Sequence, residues 1–236
     1  MSLLAQSVDV PTRRTRWVRA GAALAGAGLN PRTSRRAAVC GAARLLTALG
    51  VRVEVRASPV AWPRVRPGGT GLLVVANSVS ALDHLALVTA VPGVVAVDGG
   101  KGGRILGALR LPTVPNSPST VAEALRQGTT VTVRPERHQG TSLDRFDPRL
   151  FAAAVETGAT VCPVAVRQRT AGGLHRPVTR GGFRSELPGV VAAAGLVVEL
   201  HLLPPLTLAR GDAEELATLA EFAVAEVLER PGVSAR

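Results

Sequence analysis

The sequence predicts an α/β fold: a mostly parallel central sheet flanked by helices, preceded by a basic N-terminal helical arm. Three observations predict it. Short apolar runs alternate with stretches of helical character along most of the chain, the pattern of successive strand–helix–strand units. Residues 72–76 (LLVVA) are wholly apolar, as a strand buried on both faces must be. Finally, 46% of the 236 residues are hydrophobic, enough to pack the core of one α/β domain. That core is aliphatic, because the chain has no Tyr, 4 Phe and 2 Trp.

Each element follows in order. Residues 1–34 are rich in Arg, Ala and Gly, contain Pro11 and Pro31, and read as a loosely structured or interfacial arm. Residues 35–49 have helical character, with Gly50 placed as a C-terminal cap. Residues 51–55 (VRVEV) alternate apolar and charged side chains, which predicts a half-exposed strand. A Pro/Gly-rich loop over 57–70 leads into the strand at 72–76. Then come a helix over 81–90, a strand over 94–97, a helix over 103–110 and a short strand over 112–114. A helix over 119–127, with Ser117 or Ser119 as its cap, precedes a strand around Val131 and Val133. Asp147 and Pro148 open a helix reaching about residue 157, with proline at the first helical position. A strand over 161–166, a Gly/Pro/Arg-rich excursion over 168–190, a strand over 196–203 and an amphipathic packing helix over 212–229 complete the chain. No internal repeat is present. The boundary between the arm and helix (1–50) and the α/β domain (51–236) falls between residues 50 and 70.

Charge is concentrated at one end. Residues 1–66 hold twelve arginines against Asp9 and Glu54, a net of +10 out of a total of +11, so the remaining 170 residues are nearly balanced. Lys101 is the one lysine among 28 cationic residues, a bias that a GC-rich coding sequence accounts for. A basic segment of this kind is drawn to an anionic membrane surface or to nucleic acid. Nucleic acid is the weaker reading, since base stacking needs interleaved aromatics and this segment offers Trp17 and Trp62 alone. Two uncharged stretches, 20–31 and 187–198, are each 12 residues long, short of the ~20 that cross a bilayer. With no evident signal peptide, the expectation is a cytoplasmic protein, peripheral at the inner face of the membrane. Cys40 and Cys162 show no metal-ligand spacing and read as small buried hydrophobes in a reducing compartment.

The motifs that carry chemistry lie at strand ends. Asn77-Ser78-Val79-Ser80-Ala81-Leu82-Asp83 follows the strand at 72–76. Arg134-Pro135-Glu136-Arg137-His138-Gln139 follows the strand at Val131 and Val133, and Val161-Cys162-Pro163-Val164 forms an apolar strand around a proline. In order and spacing these resemble the lysophospholipid (glycerol-3-phosphate) acyltransferase superfamily, over about residues 35–205. The first matches the family's Asn-His-x-Ser-x-x-Asp at every fixed position except one, where Ser78 stands for the histidine. The second resembles the strand and phosphate-binding loop, with Pro135 and Glu136 in place; Arg134, Arg137, His138 and Gln139 replace Phe, Gly, Thr and Arg. The middle motif, a glycine followed by an apolar stretch ending in Arg, is poorly kept over 111–116.

The resemblance implies a glycerolphosphate-acyltransferase-like fold. It implies transfer of a fatty acyl group from acyl-coenzyme A or acyl carrier protein to a lysophospholipid-type acceptor, with no further cofactor and no metal. In the family the histidine is the general base and the aspartate orients it. Here Asp83 keeps its place, and Asn77, Ser80, Arg134, Glu136 and Arg137 stand where substrate is bound. A serine hydroxyl accepts no proton near neutral pH, and loss of a general base costs ~10²–10⁴ in rate. His138, in the phosphate-loop motif, is the substitute base the resemblance offers, either alone or activating Ser78 as a nucleophile. His84 follows Asp83 and points about 100° away around the helix, so it is expected to face elsewhere. The plainer reading of both histidines is a surface or satisfied imidazole. A catalytically inactive relative that binds lipid or acts as a scaffold is the alternative. His175, His201 and Glu199 form no constellation in the sequence.

Overall fold

The structure, a computed structural model, describes residues 13–28, 35–77, 80–91, 93–97, 107–135, 143, 145–170, 173–174, 183–193, 195–207 and 212–229. Within them the elements run α1 (Arg13–Gly28), α2 (Arg35–Ala48), β1 (Arg52–Arg56), β2 (Leu72–Ala76), α3 (Ala81–Ala90), β3 (Val94–Val97) and β4 (Thr113–Val114). They continue with α4 (Pro118–Arg126), β5 (Thr130–Val133), a 3₁₀ turn (Pro148–Leu150), α5 (Phe151–Thr157), β6 (Thr160–Thr170), β7 (Gly173–Leu174), α6 (Phe183–Ala192), β8 (Val197–Leu202) and α7 (Ala213–Glu229).

The eight strands form one sheet in the order β1-β8-β6-β2-β5-β3-β4, with β7 folded back on β6. The pairs β1–β8, β2–β6, β2–β5, β3–β5 and β3–β4 are parallel; β6–β8 and β6–β7 are antiparallel. Alternation along each strand sorts side chains between two faces. On β2, Leu72, Val74 and Ala76 join one apolar core with α1, α2, α3 and α6, while Leu73 and Val75 join a second with α4, α5 and α7. The result is a sheet between two helical layers, which is why β2 reads as an unbroken apolar run. Buried aliphatic surface of this extent, at roughly 25 cal/mol per Å², is what holds such a domain together in the near absence of aromatics.

Several expectations need correction. The arm contains a sixteen-residue helix, α1, whose Ala20 is buried in the core, so it is not loose throughout. The reason is local: Arg16 is 4% exposed and donates to the carbonyl oxygens of Val191 (3.3 Å) and Ala193 (3.1 Å) at the end of α6. Its guanidinium lies over Gly50, which follows α2 at φ +73°, so that a Cβ there would sit 3.2 Å from Arg16 Cζ. The 168–190 excursion holds the last residues of β6, all of β7 and most of α6. Asp147 caps a 3₁₀ turn, and the α-helix begins at Phe151. Cys40 is exposed, whereas burial pushes the Cys162 thiol up to about 12. Half of the 103–110 helix, residues 103–106, falls outside the described residues.

Candidate functional site

β2 runs parallel to both of its neighbours, so β5, β2 and β6 point their C-terminal ends to one edge of the sheet. Ala76 pairs with Val164 and Val75 with Val133. The chain therefore leaves β2 at Asn77 with Arg134 on one side and the longer β6 on the other. Asn77 and Arg134, the first residues of the two motif segments, thus lie at one edge of the sheet.

β6 outruns β2, and Asn77 bridges the gap. Its Nδ2 donates to the Val166 carbonyl (3.0 Å) and its Oδ1 accepts from the Val166 N–H (2.7 Å), a peptide-like pair that is 4% exposed. Ser80 then stops the strand and starts α3. Its Oγ accepts from Leu82 N (2.9 Å), and Asp83 Oδ2 accepts from Ser80 N (2.9 Å), a reciprocal capping box. The Ser-x-x-Asp half of the motif is thus also the signal that begins the helix.

Asp83 is completely buried, and its other oxygen, Oδ1, accepts from Gln168 Nε2 (2.7 Å) on β6. A second buried carboxylate arrives from α6: Glu186 Oε2 accepts from Ala81 N (3.0 Å). Two carboxyl groups at the N-terminus of α3 occupy its first amide groups, where acceptors suit the orphan donors.

His84 corrects the sequence expectation. It is 1% exposed, and neither ring nitrogen has a hydrogen-bond partner among the described residues. Residues 81–88 of α3 are all buried, so a turn of 100° away from Asp83 leads to another part of the interior and not to solvent. Burial, and after it the charge of Arg134, pushes the imidazole down to about 3, so it is neutral at neutral pH. A second unbonded group, Thr132 Oγ1, lies on β5. Val131 and Val133 face the core on the opposite side of the sheet, so alternation turns Thr132 toward the face that α3 covers.

Arg134 is half-buried and lines a cleft of about 250 Å³ with Asn116, Pro118, Pro135, Asp147 and Arg149. Arg149 is tied to Asp147 through Nε (2.7 Å). Ser78, Glu136, Arg137 and His138 lie outside the described residues. Of the eight predicted site residues, Asn77, Ser80, Asp83 and Arg134 are brought to one edge of the sheet.

Sequence reasoning missed Gln168 and Glu186, and it read His84 as a surface or satisfied imidazole where the structure buries it unbonded among the described residues. Gln168 was legible in principle, because it continues the inward positions Cys162, Val164 and Val166 and so marks a polar group under α3. Glu186 carries no local signal; only the fold brings α6 to α3. Glu199 and His201, which formed no constellation in the sequence, belong to an ion network across β1, β8 and β6. Arg169 reaches Glu199 (2.6 Å) and Glu54 (2.9 Å), and Arg56 reaches Glu199 (3.7 Å). Glu199 is buried, while Glu54, Arg56 and Arg169 are partly or fully exposed, and pairs to such exposed cations contribute little to stability singly.

No protein-family model matches the chain, and no curated protein matches it. Its fold is similar to that of the crystal structure of the 1-acyl-sn-glycerophosphate (LPA) acyltransferase PlsC from Thermotoga maritima, with a TM-score of 0.62 and 19% sequence identity. The match covers 94% of this chain and 96% of that one. At this identity the likeness concerns architecture: the chain has the acyltransferase α/β fold.

Proposed function

We propose that the protein is an acyltransferase-like protein of glycerolipid metabolism, moving a fatty acyl group from acyl-coenzyme A or acyl carrier protein to a lysophospholipid-type acceptor. One observation carries the reading: Asn77, Ser80 and Asp83 open α3 beside Arg134, on a fold similar to that of an LPA acyltransferase. In this reading Arg134, with Glu136 and Arg137, meets the acceptor phosphate. His138 takes the proton of the acceptor hydroxyl in place of the histidine that Ser78 displaces, or of Ser78 itself when Ser78 is the nucleophile. Work takes place at an anionic membrane surface approached by the basic arm. No described helix is long and apolar enough to cross a membrane, which agrees with an approach from one side.

A second reading, a catalytically silent relative that binds lipid or acts as a scaffold, is favoured by Asp83 itself. Each of its oxygens already accepts a hydrogen bond, from Ser80 N and Gln168 Nε2, which is a capping role that needs no histidine.

Transfer of labelled acyl groups to lysophosphatidic acid separates the two. Turnover by the native chain that His138→Ala lowers by ~10²–10⁴ supports the first reading with His138 as base. Turnover that survives His138→Ala removes His138 from the mechanism. No native turnover, with turnover gained in Ser78→His, establishes the silent relative.

A further inference from the structure

Two buried polar contacts outside the motifs meet on one helix. Glu186, in the first turn of α6, is 2% exposed and accepts from Ala81 N at the start of α3. At the other end of α6, Arg16 of α1 donates to Val191 and Ala193. The last carbonyls of a helix have no partner within it, and a cation placed there also suits the dipole. The space for that guanidinium is built in, because Gly50 carries no Cβ where one would crowd Arg16.

We propose that Glu186 is a positioning residue for the start of α3, and that Arg16 holds α6, and through it Glu186, in place. Asn77, Ser80 and Asp83 are set by where α3 begins, and a carboxylate from another element fixes that point. Because α6 is clamped at its far end by α1, the seating of the arm governs the order of residues 80–83. A contact that shifts α1 reaches the candidate site without touching it. This goes beyond the proposed acyl transfer and does not depend on it.

Hydrogen exchange of single backbone amides in the full chain tests the proposal. In Glu186→Ala the Ala81 amide is expected to exchange at least about tenfold faster relative to Val74 on β2 and Cys162 on β6, since it loses its acceptor. Arg16→Met is expected to produce the same local rise. Glu186→Gln, which keeps an acceptor oxygen, restores protection, and Arg19→Met, at an exposed position of α1, changes nothing. Should Arg16→Met not fold, Arg16→Gln, too short to reach both carbonyl oxygens, gives the same readout. An Ala81 amide that stays protected when Arg16 is replaced overturns the coupling. So does a rise equal at Val74 and Cys162, which marks general loosening, and failure of Glu186→Gln to restore protection overturns the positioning role. The readout needs no turnover, so its failure leaves the acyl-transfer reading standing, and loss of that reading leaves the coupling intact.

Discussion

His84 offers the most quantitative test of how the interior under α3 is built. Its imidazole titrates near 6.5 when exposed and is pushed down to about 3 in the folded chain by burial, with Arg134 adding to the effect. Between those values the unfolded chain holds a proton that the folded chain refuses. Stability is therefore complete above about pH 6.5 and falls as pH drops, by up to about 1.4 kcal/mol per pH unit. From pH 7.5 to 5.0 this one residue should remove about 2 kcal/mol. The perturbation is His84→Leu, which keeps the volume and removes the titration. Urea unfolding of both proteins at the two pH values isolates the effect. His201, whose value is lowered by burial against the pull of Glu199, slopes in the same direction but is present in both proteins and cancels. Glu199 does not interfere. Burial works to raise its value, but the hydrogen bond and charge of Arg169, helped by His201, outweigh this and hold it low. Its contribution is lost only as pH falls through its lowered folded value, below the window. Because neither imidazole nitrogen has a hydrogen-bond partner among the described residues, His84→Leu should be at least as stable as the native chain at pH 7.5. Superimposable pH dependences for the two proteins refute the reasoning, as does a large loss of stability in the variant at pH 7.5.

Three further outcomes are expected. Asn77→Ala leaves the buried N–H and carbonyl of Val166 without partners and should cost roughly 3 kcal/mol, read as a lowered urea midpoint. Gly71→Ala places a Cβ 2.0 Å from the Thr129 carbonyl oxygen, so the variant should lose at least about 3 kcal/mol or fail to accumulate in folded form, as circular dichroism would report. Gly189→Ala within α6, where a Cβ meets nothing within 4 Å, should instead raise stability by up to about 1 kcal/mol in thermal melts.

The sheet was legible because burial on both faces leaves a strand no choice but to be apolar. Residues 72–76, 94–97 and 161–166 announce themselves in that way, and Gly50 and Pro148 punctuate as glycine and proline do. α6 was not legible, because Gly and Pro make residues 168–190 read as loop while its helix is held by distant groups, Arg16 at one end and Ala81 at the other. The same limit applies at the candidate site. The Asn77, Ser80 and Asp83 pattern and the position of Arg134 are local strand-end features and could be read directly. Gln168 and Glu186 act through contacts spanning 85 and 105 residues, which no window on the sequence spans. His84 was misplaced for a different reason: a helical wheel gives an angle, but only the packing of α2, α6 and the sheet around α3 says that every angle points inward.

The side chain of Asn77 completes the sheet where the main chain turns away. Its amide presents one donor and one acceptor to Val166 at 3.0 and 2.7 Å, the same complement the main-chain groups of a longer β2 would have offered. The backbone is thereby released one residue early, and it can bend toward α3 with no loss to the ladder behind it. Aspartate, nearly the same shape, would set an acceptor against the Val166 carbonyl, so a single hydrolysed amide at this position would open the last tie to β6 at the very place where the site begins, while the ladder from Leu72 to Ala76 stays paired.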